Sequence, residues 1–197
     1  MAENKIKDRL PLIAPAKFNL WLFMLSSSML FAAFLSAYIV QRPDSIAKQT
    51  WTVFDLPVYF FYSLIIAMLS SVSIQLAHRA AKNDELARNK HLIIVTFIFG
   101  LLFTLSQCLG WQELLLLDLT FVNPRPEDIS ASYVWVITLI HFVHILGGIV
   151  LLVIAWVKAT QFKIHKKQMN FMSITNTYWH FVGLLWFILY FFIYFAR

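Results

Sequence analysis

Five apolar runs, each long enough to cross a bilayer, constrain this chain more than any other feature. A helix crossing about 30 Å of hydrocarbon needs roughly 20 apolar residues. Five stretches qualify: about Phe18–Val40, Pro57–Ala80, Leu92–Leu116, Tyr133–Val157 and Ile174–Phe195. They leave little of the 197 residues over, so a separate soluble domain has no room. Only 13% of the residues are charged and 60% are hydrophobic, against about a quarter charged in a soluble domain. Period-two alternation is missing, which argues against a membrane β-barrel. The expected fold is all-α: an integral membrane bundle of five transmembrane helices over 18–197, after a basic segment at 1–17.

Orientation follows from the basic residues. Lys5, Lys7, Arg9 and Lys17 precede span one; Arg79, Lys82, Arg88 and Lys90 separate spans two and three; Lys158, Lys163, Lys166 and Lys167 separate spans four and five. Arg42, Lys48, Arg125 and Arg197 fall on the other side. This bias places the N-terminus inside and the C-terminus outside. It also accounts for the net charge of +6 without nucleic acid as a partner. Pro57 suits a first helical turn, while Pro43, Pro124 and Pro126 are expected in connections that stop helices. Trp51, Trp111 and Tyr133 suit interfacial belts. The first run exceeds the core of a signal peptide and is read as a retained span. No repeat suggests an inverted-repeat transporter.

Each span carries a face of small or polar residues. Span one has Ser26, Ser27 and Ser28, then Ala32, Ala33, Ser36 and Ala37. Span two repeats Ser63, Ser70 and Ala77. Span three aligns Gly100, Gln107 and Trp111. Span four aligns His141, His144, Gly148 and Ala155, and span five Asn176, His180, Gly183, Phe187 and Tyr190. Small residues let helices approach, and hydroxyl, amide and imidazole groups bond across the contact. These faces predict a compact bundle.

Chemistry of the chain's own is hard to find in the sequence. Cys108 is the single cysteine, expected as a small buried filler, so a disulfide or a cysteine-held cluster is excluded within the chain. His141, His144 and His180 are candidate ligands for a metal or a b-type haem. At 1.5 Å per residue, His144 lies near mid-membrane, His141 about 6 Å outward and His180 about 7 Å inward. That offset, on the order of 9–13 Å, is poor for ligands that must face one another. Glu113, Asp118 and Asp55 sit near span ends, so a mid-membrane carboxylate relay is missing. No nucleotide loop or metalloprotease motif occurs.

Four stretches together carry a family likeness. Leu22–Tyr38 is an aromatic-rich first helix ending Ala-Tyr. Ser106-Gln-Cys-Leu-Gly-Trp111 closes span three. His141-Phe-Val-His144-Ile-Leu-Gly147-Gly148 lies in span four, and Tyr178-Trp179-His180-Phe181-Val182, followed by Trp186, lies in span five. In order and spacing they resemble subunit III of the haem-copper oxidases, in its five-helix bacterial form. The resemblance covers about residues 18–195.

It implies a non-catalytic subunit of an aerobic terminal oxidase in the bacterial cytoplasmic membrane. Haems and copper belong to partner subunits, with none in this chain. Subunit I is the main expected partner, with subunit II, a small subunit IV and a larger respiratory supercomplex as further ones. The complex would take electrons from cytochrome c or quinol, reduce oxygen to water and pump protons. Subunit III would bind phospholipid and protect subunit I during turnover. The structural and lipid-contact candidates are His141, His144, Gly147, Gly148, Trp179, His180 and Trp186. Three positions depart from the family: its carboxylates fall on Ser27, Gly110 and Gly183, all neutral here, so no carboxylate role in proton handling is carried over. Other readings are a small b-type cytochrome using His141, His144 and His180, or an accessory subunit of a quinol oxidase or nitric oxide reductase.

Overall fold

A computed structural model describes residues 15–120, 129–161 and 169–196. Five helices follow in order: α1 (Pro15–Ala47), α2 (Val58–Lys82), α3 (Leu86–Leu116), α4 (Ile129–Thr160) and α5 (Asn170–Ala196). All five are long and apolar enough to span a membrane. Each covers one of the expected spans, save that Pro57 stands just before α2, and runs beyond it on at least one side. The 33 residues of α1 extend about 50 Å at 1.5 Å per residue. Hydropathy marks only the hydrocarbon crossing, whereas the helix continues into the headgroup layer.

Pro43 does not stop α1 but lies inside it. A proline forfeits one intrahelical bond, and here local ties hold the last turn. Gln41 Nε2 donates to Ser45 Oγ at 3.1 Å, and Lys48 Nζ to Asp44 Oδ2 at 2.6 Å. Ser45 is fully buried. Pro57 flanks α2, one residue before its first helical position. Pro124, Arg125, Pro126, Lys163, Lys166, Lys167, Arg197 and the basic residues before position 15 lie outside the described residues.

Three helices end in one motif without glycine. After α2, Glu85 N–H donates to the Ala80 carbonyl (2.9 Å) and Asp84 N–H to Ala81 (3.3 Å). After α3, Leu119 N–H reaches Leu114 (3.0 Å) and Asp118 N–H reaches Leu115 (3.1 Å). After α1, Thr50 N–H reaches Ser45 (2.9 Å) and Gln49 N–H reaches Ile46 (3.1 Å). These are Schellman closures, which place one residue in the left-handed region. Asp84, Asp118 and Gln49 hold it, at φ of 59°, 62° and 57°. After α3 the usual apolar contact accompanies the closure, with Leu114 and Leu119 both buried. The five glycines of the chain are all inside helices instead.

α2 and α3 form an antiparallel hairpin tied along its length. Asn89 Nδ2 donates to the Ala77 carbonyl (2.8 Å), Thr96 Oγ1 to Ser73 Oγ (3.0 Å), Gln107 Nε2 to Ser63 Oγ (2.9 Å) and Ser106 Oγ to the Tyr59 carbonyl (2.6 Å). The expected stripe of Ser63, Ser70 and Ala77 is buried throughout. α4 and α5 complete a four-helix body with this hairpin, while α1 packs only against α4 and α5 among the described residues.

Two expected faces are displaced. On α1, Ser27, Phe31, Tyr38 and Ser45 are buried, whereas Ala32, Ala33, Ser36 and Ala37 are exposed. On α5 the buried face runs through Met172, Thr175, Trp179, Val182, Trp186, Leu189 and Ile193. Of the predicted stripe Tyr190 is buried, Asn176, His180 and Gly183 are half-buried, and Phe187 is exposed. In both helices large side chains, Phe31 and Tyr38 on α1 and Trp179 and Trp186 on α5, fill most of the interior, beside a few small ones. Trp51 and Tyr133 turn their rings onto buried Tyr38, at centroid distances of 4.9 and 5.7 Å. Trp111 donates its indole N–H to Thr138 Oγ1 at 3.1 Å.

Candidate functional site: the polar seam of the bundle

The three histidines of the sequence motifs sit in three different settings. His141 is fully buried. Its ring stacks on Trp186 at 5.0 Å and 24°, with Phe103 (5.9 Å) and Phe31 (6.4 Å) edge-on around it. Neither ring nitrogen has a hydrogen-bond partner. The expected interhelical bond is therefore not made, and the imidazole acts as a flat packing element between α4 and α5.

His144 is the residue that bonds across helices. Its Nδ1 is 2.8 Å from the Ile140 carbonyl, which can only accept, so Nδ1 carries the proton. In the neutral ring Nε2 is then an acceptor, and Ser27 Oγ donates to it at 3.1 Å. The flanking Ser26 and Ser28 bond their own helix, to the Phe23 and Met24 carbonyls. Only the middle serine faces the bundle. Ser27, the family's carboxylate position, thus pins α1 to α4 by a neutral bond. Phe23 and Phe31 pack their rings on His144 at 5.7 and 5.5 Å.

His180 belongs to a junction of α2 and α5. Its Nε2–H donates to Gln75 Oε1 at 3.1 Å, and Asn176 Nδ2 donates to the same oxygen at 3.2 Å. The neighbouring Trp179 donates its Nε1–H to Ser70 Oγ at 3.0 Å. The expected polar junction at Trp179 and His180 is present. Its acceptor, Gln75, was not singled out in the sequence; its position one helical turn from Ser71 and His78 was the available signal. Among the described residues, no group of three or more His, Cys, Asp or Glu side chains is arranged to hold a metal.

The glycines explain how large rings fit between the helices. A Cβ at Gly148 would stand 3.0 Å from Trp179 Cε3 and Cζ3, and one at Gly100 2.9 Å from Trp179 Cη2. Trp179 therefore lies in a slot cut by glycines of α3 and α4. Gly147 faces outward, and its Cβ would meet only the Tyr178 hydroxyl, at 3.3 Å. That hydroxyl donates to the His144 carbonyl at 2.8 Å. Gly148, more than Gly147, is the close-contact glycine. Gly110 leaves room for Phe60, since a Cβ there would be 2.5 Å from Phe60 Cε1. A Cβ at Gly183 would stand 3.1 Å from Ser71 Oγ. The family's carboxylate positions on α3 and α5 are thus spaces used by neighbours.

Trp186 is buried at 1% exposure, edge-on to Phe60 (5.8 Å) and Phe103 (5.6 Å), so it packs the interior and does not touch an acyl chain. Cys108 is half-buried, not enclosed. The outer surface offers grooves instead. Between α1 and α5 a groove of ≈ 480 Å³ is walled by Trp21, Met24, Leu25, Phe181, Leu184 and Ile188, with Ser28 as its polar element. Between α2 and α5 a second, of ≈ 380 Å³, is bordered by Ser71, His180 and Gly183.

Sequence comparison supplies the context for this arrangement. The family model described as cytochrome c oxidase subunit III matches residues 9–197. A probable cytochrome c oxidase subunit 3 of Mycobacterium tuberculosis is 24% identical over 173 residues, covering 87% of this chain and 83% of the relative. A cytochrome bo(3) ubiquinol oxidase subunit 3 of Buchnera aphidicola is 25% identical over 178 residues, covering 90% and 84%. A probable cytochrome c oxidase subunit 3 of Rickettsia prowazekii is 24% identical over 197 residues, covering 90% of this chain and 67% of the relative. With its five membrane-spanning helices and a match over nearly its whole length, the chain belongs to the cytochrome c oxidase subunit III family.

Proposed function

We propose that this chain is the non-catalytic subunit III of a bacterial aerobic cytochrome c oxidase, holding subunit I in shape and binding phospholipid. The observation that carries this reading is the placement of α1. It is fastened along one edge to α4 and α5, and the remaining surface, including Trp21, Leu22, Leu25 and Met29, is apolar and open. A helix so placed serves as a surface for lipid or another membrane helix. The groove between α1 and α5 suits an acyl chain, with apolar walls and length along the bundle axis. The haems and copper belong to partner subunits, as do oxygen reduction and proton pumping. Subunit II, a small subunit IV and a larger respiratory supercomplex complete the proposed setting, in the bacterial cytoplasmic membrane with the N-terminus inside.

The quinol-oxidase reading rests on the bo(3) relative, and donor choice would be made on other subunits. The b-type cytochrome reading loses support from the geometry, because His141, His144 and His180 face Trp186, Ser27 and Gln75 respectively. The test is to purify the tagged chain from membranes, identify the co-purifying catalytic subunit and delete the chain. We expect a haem-copper subunit I in the preparation, and an oxidase that loses activity progressively during turnover after deletion or delipidation. Unchanged assembly and durability would refute the stabilising role. A Soret band in the isolated chain would reinstate the electron-carrier reading.

A further inference from the structure

A small cavity lies where α2, α3, α4 and α5 meet. It is lined by Ala67, Ser70, Phe103, Ile145, Trp179, Gly183 and Trp186, and its volume is ≈ 10 Å³. That matches the lower bound for one water molecule, about 10–15 Å³. An apolar void of this size stays empty, but this one has polar groups on its wall. The Trp186 indole Nε1 is buried without a partner. An unsatisfied buried donor is costly, more so in a membrane bundle with no bulk water nearby.

Ser70 supplies the complementary group. Its hydroxyl donates to the Ala67 carbonyl at 2.9 Å and accepts the Trp179 indole N–H at 3.0 Å. A hydroxyl oxygen has two lone pairs, so one remains. We propose that a single water molecule occupies this cavity, accepting the Trp186 indole N–H and donating to Ser70 Oγ, and so fastens α5 to α2. Two protein partners fall within the two to four that buried waters use.

The cavity adjoins the outer surface at two small residues. Ala67 and Gly183 line both it and the outer groove between α2 and α5. The partition there is made of an alanine of α2 and the glycine of α5.

The test uses the intact oxidase, imaged at a resolution that shows ordered water, together with ultraviolet resonance Raman spectroscopy of the indole N–H. The Trp186 band is isolated by difference against Trp186→Phe. We expect a density peak about 2.9 Å from Nε1 and a band typical of a hydrogen-bonded indole. Ala67→Val, which grows a side chain into the cavity, should remove the peak and shift the band to the unbonded position. A wild-type map without the peak, a wild-type indole that is already unbonded, or a band unmoved by Ala67→Val would each overturn the assignment. Should Ala67→Val fail to assemble, the wild-type map and band decide.

Discussion

Replacing Gly110 with alanine should loosen the bundle, although alanine is the better helix former. An ideal Cβ at this position would stand 2.5, 2.8 and 3.1 Å from Cε1, Cδ1 and Cζ of Phe60. The ring cannot swing clear, because Phe60 is 1% exposed and lies edge-on against Trp186 at 5.8 Å. Overpacking of this kind costs about 1–3 kcal/mol, and an overlap against a wedged ring belongs in the upper half of that range. The gain in helix propensity returns about 1 kcal/mol. The net loss is on the order of 1–2 kcal/mol. For a chain of this size that is a fall of roughly 2–8 °C in the unfolding midpoint. Circular dichroism of the purified chain in detergent measures it directly. Gly147→Ala is the control, since its Cβ would meet only the Tyr178 hydroxyl at 3.3 Å, and it should be neutral or slightly stabilising. Phe60→Leu should relieve the penalty, so that the double mutant is less destabilised than the sum of the singles by at least about 0.5 kcal/mol. Additive effects of Gly110→Ala and Phe60→Leu would refute the packing argument. So would a Gly110→Ala chain as stable as the original.

Two further substitutions probe the polar seam. Ser27→Ala removes the donor to His144 Nε2 at 3.1 Å; with bonds between membrane helices averaging about 0.6 and reaching about 1.7 kcal/mol, spin labels on α1 and α5 should show a broadened distance distribution while α2–α5 stay packed. Gln107→Leu should be nearly neutral by thermal unfolding, because Ser63 Oγ keeps its own bond to the Phe60 carbonyl at 2.7 Å and Gln107 Oε1 has no partner to lose.

The membrane spans were legible because hydropathy over 20 residues reports directly on the medium around a helix. The faces were legible only where burial and residue size coincide. Ser63 and Ala77 are small because α3 lies close to them, Ser70 because Trp179 of α5 reaches it, and Gly148 is bare because Trp179 presses on it. Span one misled for the opposite reason. Its alanines point outward, and lipid tails are as apolar as a protein interior, so composition cannot say which side of an apolar helix is inside. Aromatic residues resolve the matter only in three dimensions: Phe31 and Tyr38 fill the space that the small residues were expected to close. The depth estimate separated His180 from the other two histidines. Depth says nothing of surroundings: His141 and His144 lie one turn apart, one stacked on indole and the other bonded to serine. Gln75 carries a weaker signal, because its two donors come from a helix 101 and 105 residues later.

The edge-on attachment of α1 sets an order for biogenesis. Ser27 waits for a partner 117 residues downstream, and at 5–20 residues per second the ribosome takes about 6–23 s to deliver it. The α2–α3 hairpin has its own bonds and can close as soon as it emerges. Of the five helices described, α1 is made before both of the helices it packs against, α4 and α5. During that interval its buried edge, Ser27, Phe31 and Tyr38, is open to whatever other membrane helix is at hand. A cell that synthesises a companion subunit nearby has a window of seconds in which to join the two chains before the bundle closes on itself.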